Sequence, residues 1–380
     1  MKPAIFTFAT SAHNTATRIA ALTSGTIHAC GPNGEDAKTL LPRLFHAGTP
    51  IIGVCAAGIL IRLLAPLLDD KHAEPPVLAV SQDGTQIVPL LGGHHGANRL
   101  ARQLAEGLGG VAALTTASDS RFAFGLDEPP DGWFLENPDA AKPAMAALLA
   151  GASIALDGDA PWLATAGYRV SADGIVKVTV TERSTTAAGL VYHPKILIAG
   201  VGCERGTSAE EVIGLIASTL STAGLSPLSL AAIASVDIKA DEAALHAAAE
   251  HFGVPLRLFN VGELDAERSR LVTPSSIVEA EIGTPGVAEA AALKAGSLAA
   301  PKRKSARATC AIGRAAQPID PLSLGRAPGH LHIVGIGPGE AVSRTASAVA
   351  ALDQSSDWVG YGLYLDLTTT PPSPVWIVLW

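Results

Sequence analysis

Little of this chain is charged, aromatic or sulfur-bearing, and each scarcity closes off a class of function. Four cysteines stand among 380 residues, at positions 30, 55, 203 and 310. They form no Cys-x-x-Cys pair, so the spacing offers no zinc knuckle, no dithiol redox motif and no disulfide framework. The setting this implies is reducing and cytoplasmic. Lysine and arginine number 27 against 35 acidic residues, a net charge of −8, which argues against a broad nucleic-acid-binding surface. No apolar run reaches the roughly 18 residues that a membrane span needs. The nearest, 58–68, is interrupted by Arg62 and Pro66. No signal peptide is expected, because the apolar residues 4–8 lead straight into polar Thr-Ser-Ala-His-Asn.

What the chain does have is hydrophobic residues, 48% of the total, punctuated by 38 glycines and 26 prolines. That composition is globular, and the length suits two or three domains. Residues 1–126 alternate short apolar runs with helical periodicity, as in an α/β domain. Strands are predicted at 4–8, 51–54, 77–80, 87–91 and 111–115, with a hairpin at Gln82-Asp83-Gly84. The stretch 127–143 is rich in proline, aspartate and glycine and marks a boundary. It opens a small middle segment, 127–193, where alternation over 168–180 predicts a hairpin about Ala172-Asp173-Gly174.

A second α/β domain is read over 194–315, with strands at 195–201, 233–238, 255–259 and 308–312. Thr207 with Glu210, and Ser208 with Glu211, have the spacing of a capping box. Val212, Leu215, Ile216 and Leu220 then supply a buried helical face. Residues 316–329 read as a linker. A third module starts at 330 with a predicted strand over 330–336 that runs into Gly337-Pro338-Gly339.

The richest stretch chemically is 90–104, Leu-Leu-Gly-Gly-His-His-Gly-Ala-Asn-Arg-Leu-Ala-Arg-Gln-Leu. A strand enters a flexible Gly92-Gly93 turn, and a helix follows with Leu100, Leu104 and Leu108 on one face. His94 and His95 therefore sit at the mouth of a strand-turn-helix unit, beside the positive end of a helix. Two readings stand: solvated loop histidines, or a base at an anion-friendly helix start.

Other candidates carry their own alternatives. Arg205, in the turn Gly202–Gly206, either binds an anion or pairs with Glu204. The period of two in a strand puts Ser235, Asp237 and Lys239 on one face, which at the carboxyl edge of a parallel sheet looks into a ligand crevice. The alternative is an Asp237–Lys239 surface pair. Glu279 is an acid or base, or simply a favourable charge in the first turn of a helix. Lys302, Arg303, Lys304 and Arg307 form a basic run, read as a solvated loop or a polycarboxylate contact. Cys203 beside Arg205 is a possible nucleophile without a placed histidine. Gly335, Gly337, Pro338 and Gly339 lie in Val-Gly-Ile-Gly-Pro-Gly, which is not the dinucleotide Gly-x-Gly-x-x-Gly. His94-His95 alone lacks the ligand count for a metal, so no protein metal site is expected.

Several of these motifs are long enough to resemble a known family. The 90–105 stretch, Gly-Val-Cys-Ala-Ala-Gly-Ile-Leu-Ile-Arg from 53, and Thr-Thr-Ala-Ser-Asp at 115–119 are similar to the N-terminal domain of the cobalt-precorrin-5A hydrolases of cobalamin biosynthesis. Gly-Val-Gly-Cys-Glu-Arg-Gly-Thr-Ser from 200, Ala-Ser-Val-Asp-Ile-Lys-Ala-Asp-Glu from 234, and the stretches 273–293 and 301–315 resemble that family's C-terminal domain. Residues 331–367 resemble the start of precorrin-3B C(17)-methyltransferase, a tetrapyrrole methylase that uses S-adenosylmethionine. The tail 368–380 matches nothing recognised.

The expected architecture is therefore two α/β domains with a small middle segment, plus an incomplete methylase fragment at 330–367. The resemblance implies opening of the ring A δ-lactone of cobalt-precorrin-5A with release of acetaldehyde. It implies a tetrapyrrole substrate that carries its own cobalt, and contacts with other corrin-pathway enzymes. His94, His95 and Glu279 become candidates for catalysis, and Arg99, Arg205, Asp237 and Lys239 for carboxylate binding. The hydrolase needs no cofactor. S-adenosylmethionine, against Gly335, Gly337, Pro338 and Gly339, would enter only with a complete methylase. Two alternatives remain: a non-catalytic protein that binds and hands over a tetrapyrrole, or a methyltransferase with more chain than is present.

Overall fold

The structure, a computed structural model, describes residues 2–379 apart from 32–33, 71–73, 116–120, 124, 330, 338–342, 356 and 368–374. Of residues 94, 353–354, 366 and 375–379 it describes the backbone alone. The fold is mixed α/β.

The first sheet contains β1 (Ala4–Thr7), β2 (Thr26–Ala29), β3 (Ile51–Val54), β4 (Val77–Val80), β5 (Gln86–Leu91) and β6 (Val111–Ala112). Their order is β2-β1-β3-β4-β5-β6. The first four strands are parallel and joined by α1 (His13–Thr23), α2 (Ala37–His46) and α3 (Ala57–Leu64). Strand β5 turns back against β4, and α4 (Ala97–Leu108) leads from it to β6. Helices cover both faces, which is why β1, β3 and β4 are unbroken apolar runs rather than alternating ones. Phe6, Leu41, Phe45 and Leu60 fill one face, and Ile5, Ile19, Leu78 and Leu104 the other. The predicted hairpin joins β4 to β5. In it Asp83 accepts from Ser81 Oγ at 2.5 Å, from Thr85 N at 3.0 Å and from Thr85 Oγ1 at 2.9 Å. Those donors hold its carboxyl down at about 2. The strand expected at 111–115 is only two residues long.

The middle sheet holds β7 (Trp133–Leu135), β8 (Ile154–Asp157), β9 (Val176–Val180) and β10 (Leu190–Pro194), in the order β7-β10-β9-β8, with α5 (Ala141–Leu149) and α6 (Pro161–Thr165). It has its own core, where the Tyr192 hydroxyl donates to Leu126 O at 2.6 Å and Trp162 stands edge-on to the Tyr192 ring. The hairpin expected about residues 172–174 is absent. Strand β9 runs parallel to β8, so 158–175 is a crossover. Gly174 serves close approach to the backbone of Ile154 and Ala155, where any Cβ would collide.

The third sheet contains β11 (Leu197–Cys203), β12 (Leu230–Val236), β13 (Leu256–Phe259), β14 (Ser297–Lys304) and β15 (Ala308–Arg314), in the order β13-β12-β11-β15-β14. Strands β11 to β13 are parallel, and β15 is antiparallel to both its neighbours. Helices α7 (Ala209–Thr222) and α8 (Ala243–His251) cover one face, and Val212, Leu215, Ile216 and Leu220 are buried there as their spacing predicts. Ser208 rather than Thr207 is the cap, accepting from Glu211 N at 3.2 Å. The Glu211 carboxylate does not return the bond. It accepts from Ser305 Oγ and Arg307 N.

Beyond β13 come α9 (Val261–Asp265), α10 (Ser276–Ile282) and α11 (Val287–Leu293). Every residue of α11 is buried on the second face. Gly200 in β11 and Gly313 in β15 let it lie directly on the sheet, because a Cβ at either would meet the α11 backbone. The basic run is not the expected loop, since Lys302 to Lys304 finish strand β14. The stretch after β15 stays on this sheet as far as Arg326, which bridges Leu258, while Arg257 donates to the carbonyls of Leu322, Leu324 and Gly325.

The last elements are α12 (Ala346–Gln354), β16 (Asp357–Tyr361), α13 (Gly362–Leu367) and β17 (Val375–Leu379), with β16 and β17 parallel. The strand expected over 330–336 is not formed. Residues 331–336 are irregular, and Leu331 and Ile333 are 88% and 94% exposed. Among the described residues no strand lies beside them, so their backbone groups have no ladder to join. Pro338, Gly339 and residues 116–119 of the Thr-Thr-Ala-Ser-Asp motif lie outside the described residues. Among the described residues no helix is long and apolar enough to cross a membrane.

Candidate functional site

The Gly-Gly-His-His turn follows β5. Because β5 opposes β4, with Leu91 paired to Val77, the turn lies at the amino edge of the parallel strands. Gly92 has φ +72°, and a Cβ there would strike the Pro75 carbonyl. Gly96 has φ +90° and starts α4 without a side-chain cap. Between them His95 N and Ala97 N both donate to Gly92 O, at 2.9 and 3.1 Å, and fold the loop tightly. Residue 95 is exposed, and its Nδ1 lies 2.5 Å from Glu74 O. A carbonyl only accepts, so Nδ1 carries the hydrogen and Nε2 of the neutral ring is the acceptor. His94 shares the turn, but its side chain lies outside the described residues. Arg99, in the first turn of α4, pairs with Asp131 at 2.9 Å on an exposed surface.

Arg205, Asp237 and Lys239 gather at the carboxyl edge of the third sheet, where β11 and β12 end side by side. Arg205 Nη1 donates to Asp241 Oδ1 at 2.5 Å and Nη2 to Ile238 O at 2.9 Å. The bond from Arg205 holds the Asp241 carboxyl below the ordinary range. Glu204 pairs with Arg307 at 3.0 Å rather than with Arg205. The one-face reading of Ser235, Asp237 and Lys239 needs correction. The strand stops at Val236, and 237–239 is a 3-10 turn. Ser235 is buried, donating to Val201 O at 2.8 Å. Nor does Lys239 pair with Asp237. Its Nζ is 3.8 Å from Glu242 Oε2, with both side chains close to buried.

Glu242 is the residue that sequence reasoning missed here. Its Oε1 accepts from Gly206 N at 3.0 Å, and its buried Oε2 has no hydrogen-bond partner among the described residues. Such an oxygen is costly to leave unsatisfied and is a mark of functional sites. In sequence it is just an acidic residue at a helix start. Cys203 stands nearby, but burial pushes its thiol up, which disfavours the nucleophilic thiolate.

Glu279 falls in neither group. It lies in the first turn of α10, and its Oε1 accepts from Arg268 Nη1 at 2.7 Å. The motif around it yields a second missed residue, Glu289. Fully buried, it accepts from Val272 N, Thr273 N, Thr273 Oγ1 and Lys302 N at 2.8 to 3.2 Å. Burial pushes its carboxyl up, but these donors outweigh that and hold it below the ordinary value. Gly335 and Gly337 lie in the irregular stretch and are both exposed.

Two family models match the chain: Cobalamin synthesis G N-terminal over residues 39–119, and Cobalamin synthesis G C-terminus over 197–313. The first holds the Gly-Gly-His-His turn and the second the Arg205–Glu242 edge. The cobalt-precorrin-5A hydrolase of Salmonella typhimurium is 30% identical over 241 residues, 58% of this chain and 68% of that protein. The chain belongs to the cobalt-precorrin-5A hydrolase family. The hydrolase of Priestia megaterium is 29% identical over 304 residues, covering 72% of this chain and 81% of its own. Protein CobE of a Sinorhizobium species is 48% identical over 120 residues, 30% of this chain and 78% of that protein. This family membership makes the chain an enzyme of the hydrolase class in cobalamin biosynthesis.

Proposed function

We propose that the chain opens the ring A δ-lactone of cobalt-precorrin-5A at the Gly-Gly-His-His turn and releases acetaldehyde. The observation that carries this reading is the bond that holds His95, an exposed residue whose Nδ1 lies 2.5 Å from Glu74 O, which leaves Nε2 as the acceptor. That is the arrangement of a general base whose tautomer is set by a backbone partner. Nε2 takes a proton from water, and the hydroxide adds to the lactone carbonyl. The tetrahedral intermediate collapses and expels the ring oxygen as an alkoxide. The alkoxide becomes the aldehyde carbonyl as its carbon–carbon bond to the macrocycle breaks. The electron pair of that bond passes to the ring, which takes a proton. Arg99, with its exchangeable Asp131 partner, and Arg205 with Lys239 receive acetate and propionate arms. Glu279, already bonded to Arg268, is better suited to structure than to acid–base work.

The reaction as written draws on no cofactor from the protein, and the cobalt belongs to the substrate. It suits a cytoplasmic enzyme that passes its product to another corrin-pathway enzyme. Residues 331–367 we read as a relic of a methylase start, on sequence motif alone. Residues 331–336 are irregular and 338–342 lie outside the described residues, so no methyl-transfer step is derived.

The test is acetaldehyde release from cobalt-precorrin-5A by the purified chain and by the His94→Ala, His95→Ala double variant. A loss of about 100-fold or more is expected for general-base catalysis. Full activity in the double variant overturns the base assignment. Tight ring binding without release by the unaltered chain points instead to a handover protein.

A further inference from the structure

The first sheet also has a carboxyl edge, and the reaction above does not use it. The chain passes from β1 outward to β2 and then returns to β3 on the other side of β1. Loops leaving β1 and β3 therefore diverge, and a crevice opens between them, the usual ligand position in a parallel α/β sheet. A cavity of about 580 Å³ lies at this edge, lined by Phe8 after β1, by the connection from β2 into α2 and by α3. Phe8, Ile59 and Leu63 form an apolar wall, and Glu35, Lys38 and Arg62 supply charge.

The polar groups are unevenly committed. Asp36 is spent on the start of α2, accepting from Lys38 N and Thr39 Oγ1. Glu35 is held by His28 of β2, whose Nδ1 lies 3.0 and 3.1 Å from its two oxygens. The His28 ring in turn packs on Phe6, 5.4 Å between centroids. Arg62 is exposed and donates to Gly58 O of its own helix at 3.2 Å. Among the described residues it has no carboxylate partner. Lys38 is exposed and makes no direct ion pair among the described residues, although its charge helps to hold the Asp36 carboxyl low.

We propose that this cavity binds a carboxylate carried on an apolar body, with Arg62 and Lys38 taking the carboxylate and Phe8, Ile59 and Leu63 taking the body. Resting on the tetrapyrrole reading above, the occupant is one carboxylate arm and its adjoining edge of the macrocycle. The volume is within the range of small-ligand pockets and holds an edge rather than a whole ring. The site lies at the opposite edge of the same sheet from the Gly-Gly-His-His turn, so it holds a different ring or a different step.

The experiment is calorimetric titration of the full chain with a porphyrin octacarboxylate and, separately, with butyrate. Loss of a charge-assisted bond in Arg62→Gln is expected to weaken porphyrin binding about tenfold, with a further loss in Arg62→Gln, Lys38→Gln. Ile59→Trp fills the cavity and is expected to weaken binding with both cations intact. Unchanged porphyrin affinity in all three, at unchanged melting temperature, overturns the proposal. So does an effect on butyrate alone, which would assign the cavity to a free short acid. Acetaldehyde release by the unaltered chain is read in parallel. If it fails while Arg62→Gln still weakens porphyrin binding, the hydrolase reading falls and the cavity assignment stands.

Discussion

The two large sheets meet solvent differently at their carboxyl edges. In the third sheet that edge is stitched by the chain's own charges: Arg205 to Asp241, Glu204 to Arg307, Lys239 to Glu242. In the first sheet the corresponding edge is open, with a cavity and an arginine bonded to its own helix. The faces differ in the same direction. Helix α11 is buried along its whole length on glycines of β11 and β15, whereas α2 and α3 bury only one stripe each. The third sheet is thus built as a rigid platform. The first presents the Gly-Gly-His-His turn at one edge and the cavity at the other. Precise sites tolerate little slack in what supports them, so the platform is where substitution does most to stability and the first sheet where it does most to turnover.

The sharpest way to break that contrast is Gly313→Val. Its side chain would enter the backbone of α11 at Ala292. We expect a loss of at least about 3 kcal/mol, and failure of the third sheet to fold, read by urea denaturation and soluble yield. Gly58→Ala, in α3 of the first sheet, meets only the end of the flexible Arg62 side chain and is expected to be tolerated. Equal tolerance of both would mean that α11 is not seated on the sheet.

Next in size is Glu289→Gln, which replaces a carboxylate facing four donors with a group that can serve only some of them. A cost of about 2–3 kcal/mol is expected at neutral pH. The pH dependence has a definite sign. The Glu289 carboxyl is held below its unfolded value, so its stabilisation is complete above the ordinary glutamate range and is lost as pH falls through the folded value. Urea midpoints of the unaltered chain should fall on acidification below about pH 4.5, and the variant should fall less steeply. Parallel slopes would remove Glu289 from its place as the tie between residues 272–273, α11 and β14.

Much of the platform was legible in sequence and much of its edge was not. The strand read at 195–201 from its apolar run is found two residues on, at Leu197–Cys203, and the helical face Val212, Leu215, Ile216 and Leu220 follows from periodicity, because burial on one stripe leaves a 3.6-residue signature. Arg205, in the turn after one strand, and Lys239, at the end of the next, were each legible as edge candidates, and the parallel β11 and β12 bring them to the same edge. Glu242 and Glu289 were not, since an acidic residue near a helix start looks the same whether solvated or buried, and their donors come from 13 to 36 residues away. The cavity was hidden for a similar reason. Its arginine stands in the sequence only as an interruption in an apolar run, and His28 meets Glu35 because the chain leaving β2 folds back, with Glu35 N donating to Ala29 O. The failed hairpin at 168–180 shows a different error: the turn is there, with Gly174 N donating to Ser171 O at 3.0 Å, but the strand after it pairs in parallel with β8 instead of folding back.

The smallest expected effect is Arg205→Gln. Its ion pair with Asp241 is 60% and 73% exposed, and exposed pairs contribute little to folding. The melting temperature is therefore expected to stay where it is, although the bond holds both partners' charges in place. Binding should respond differently. If the platform's edge receives carboxylate arms, removing a planar cation weakens porphyrin octacarboxylate several-fold, with a shallower dependence of affinity on salt. A drop in melting temperature with unchanged affinity would make the Arg205–Asp241 pair a part of the scaffold, and would leave the first sheet alone to recognise the ring's acidic periphery.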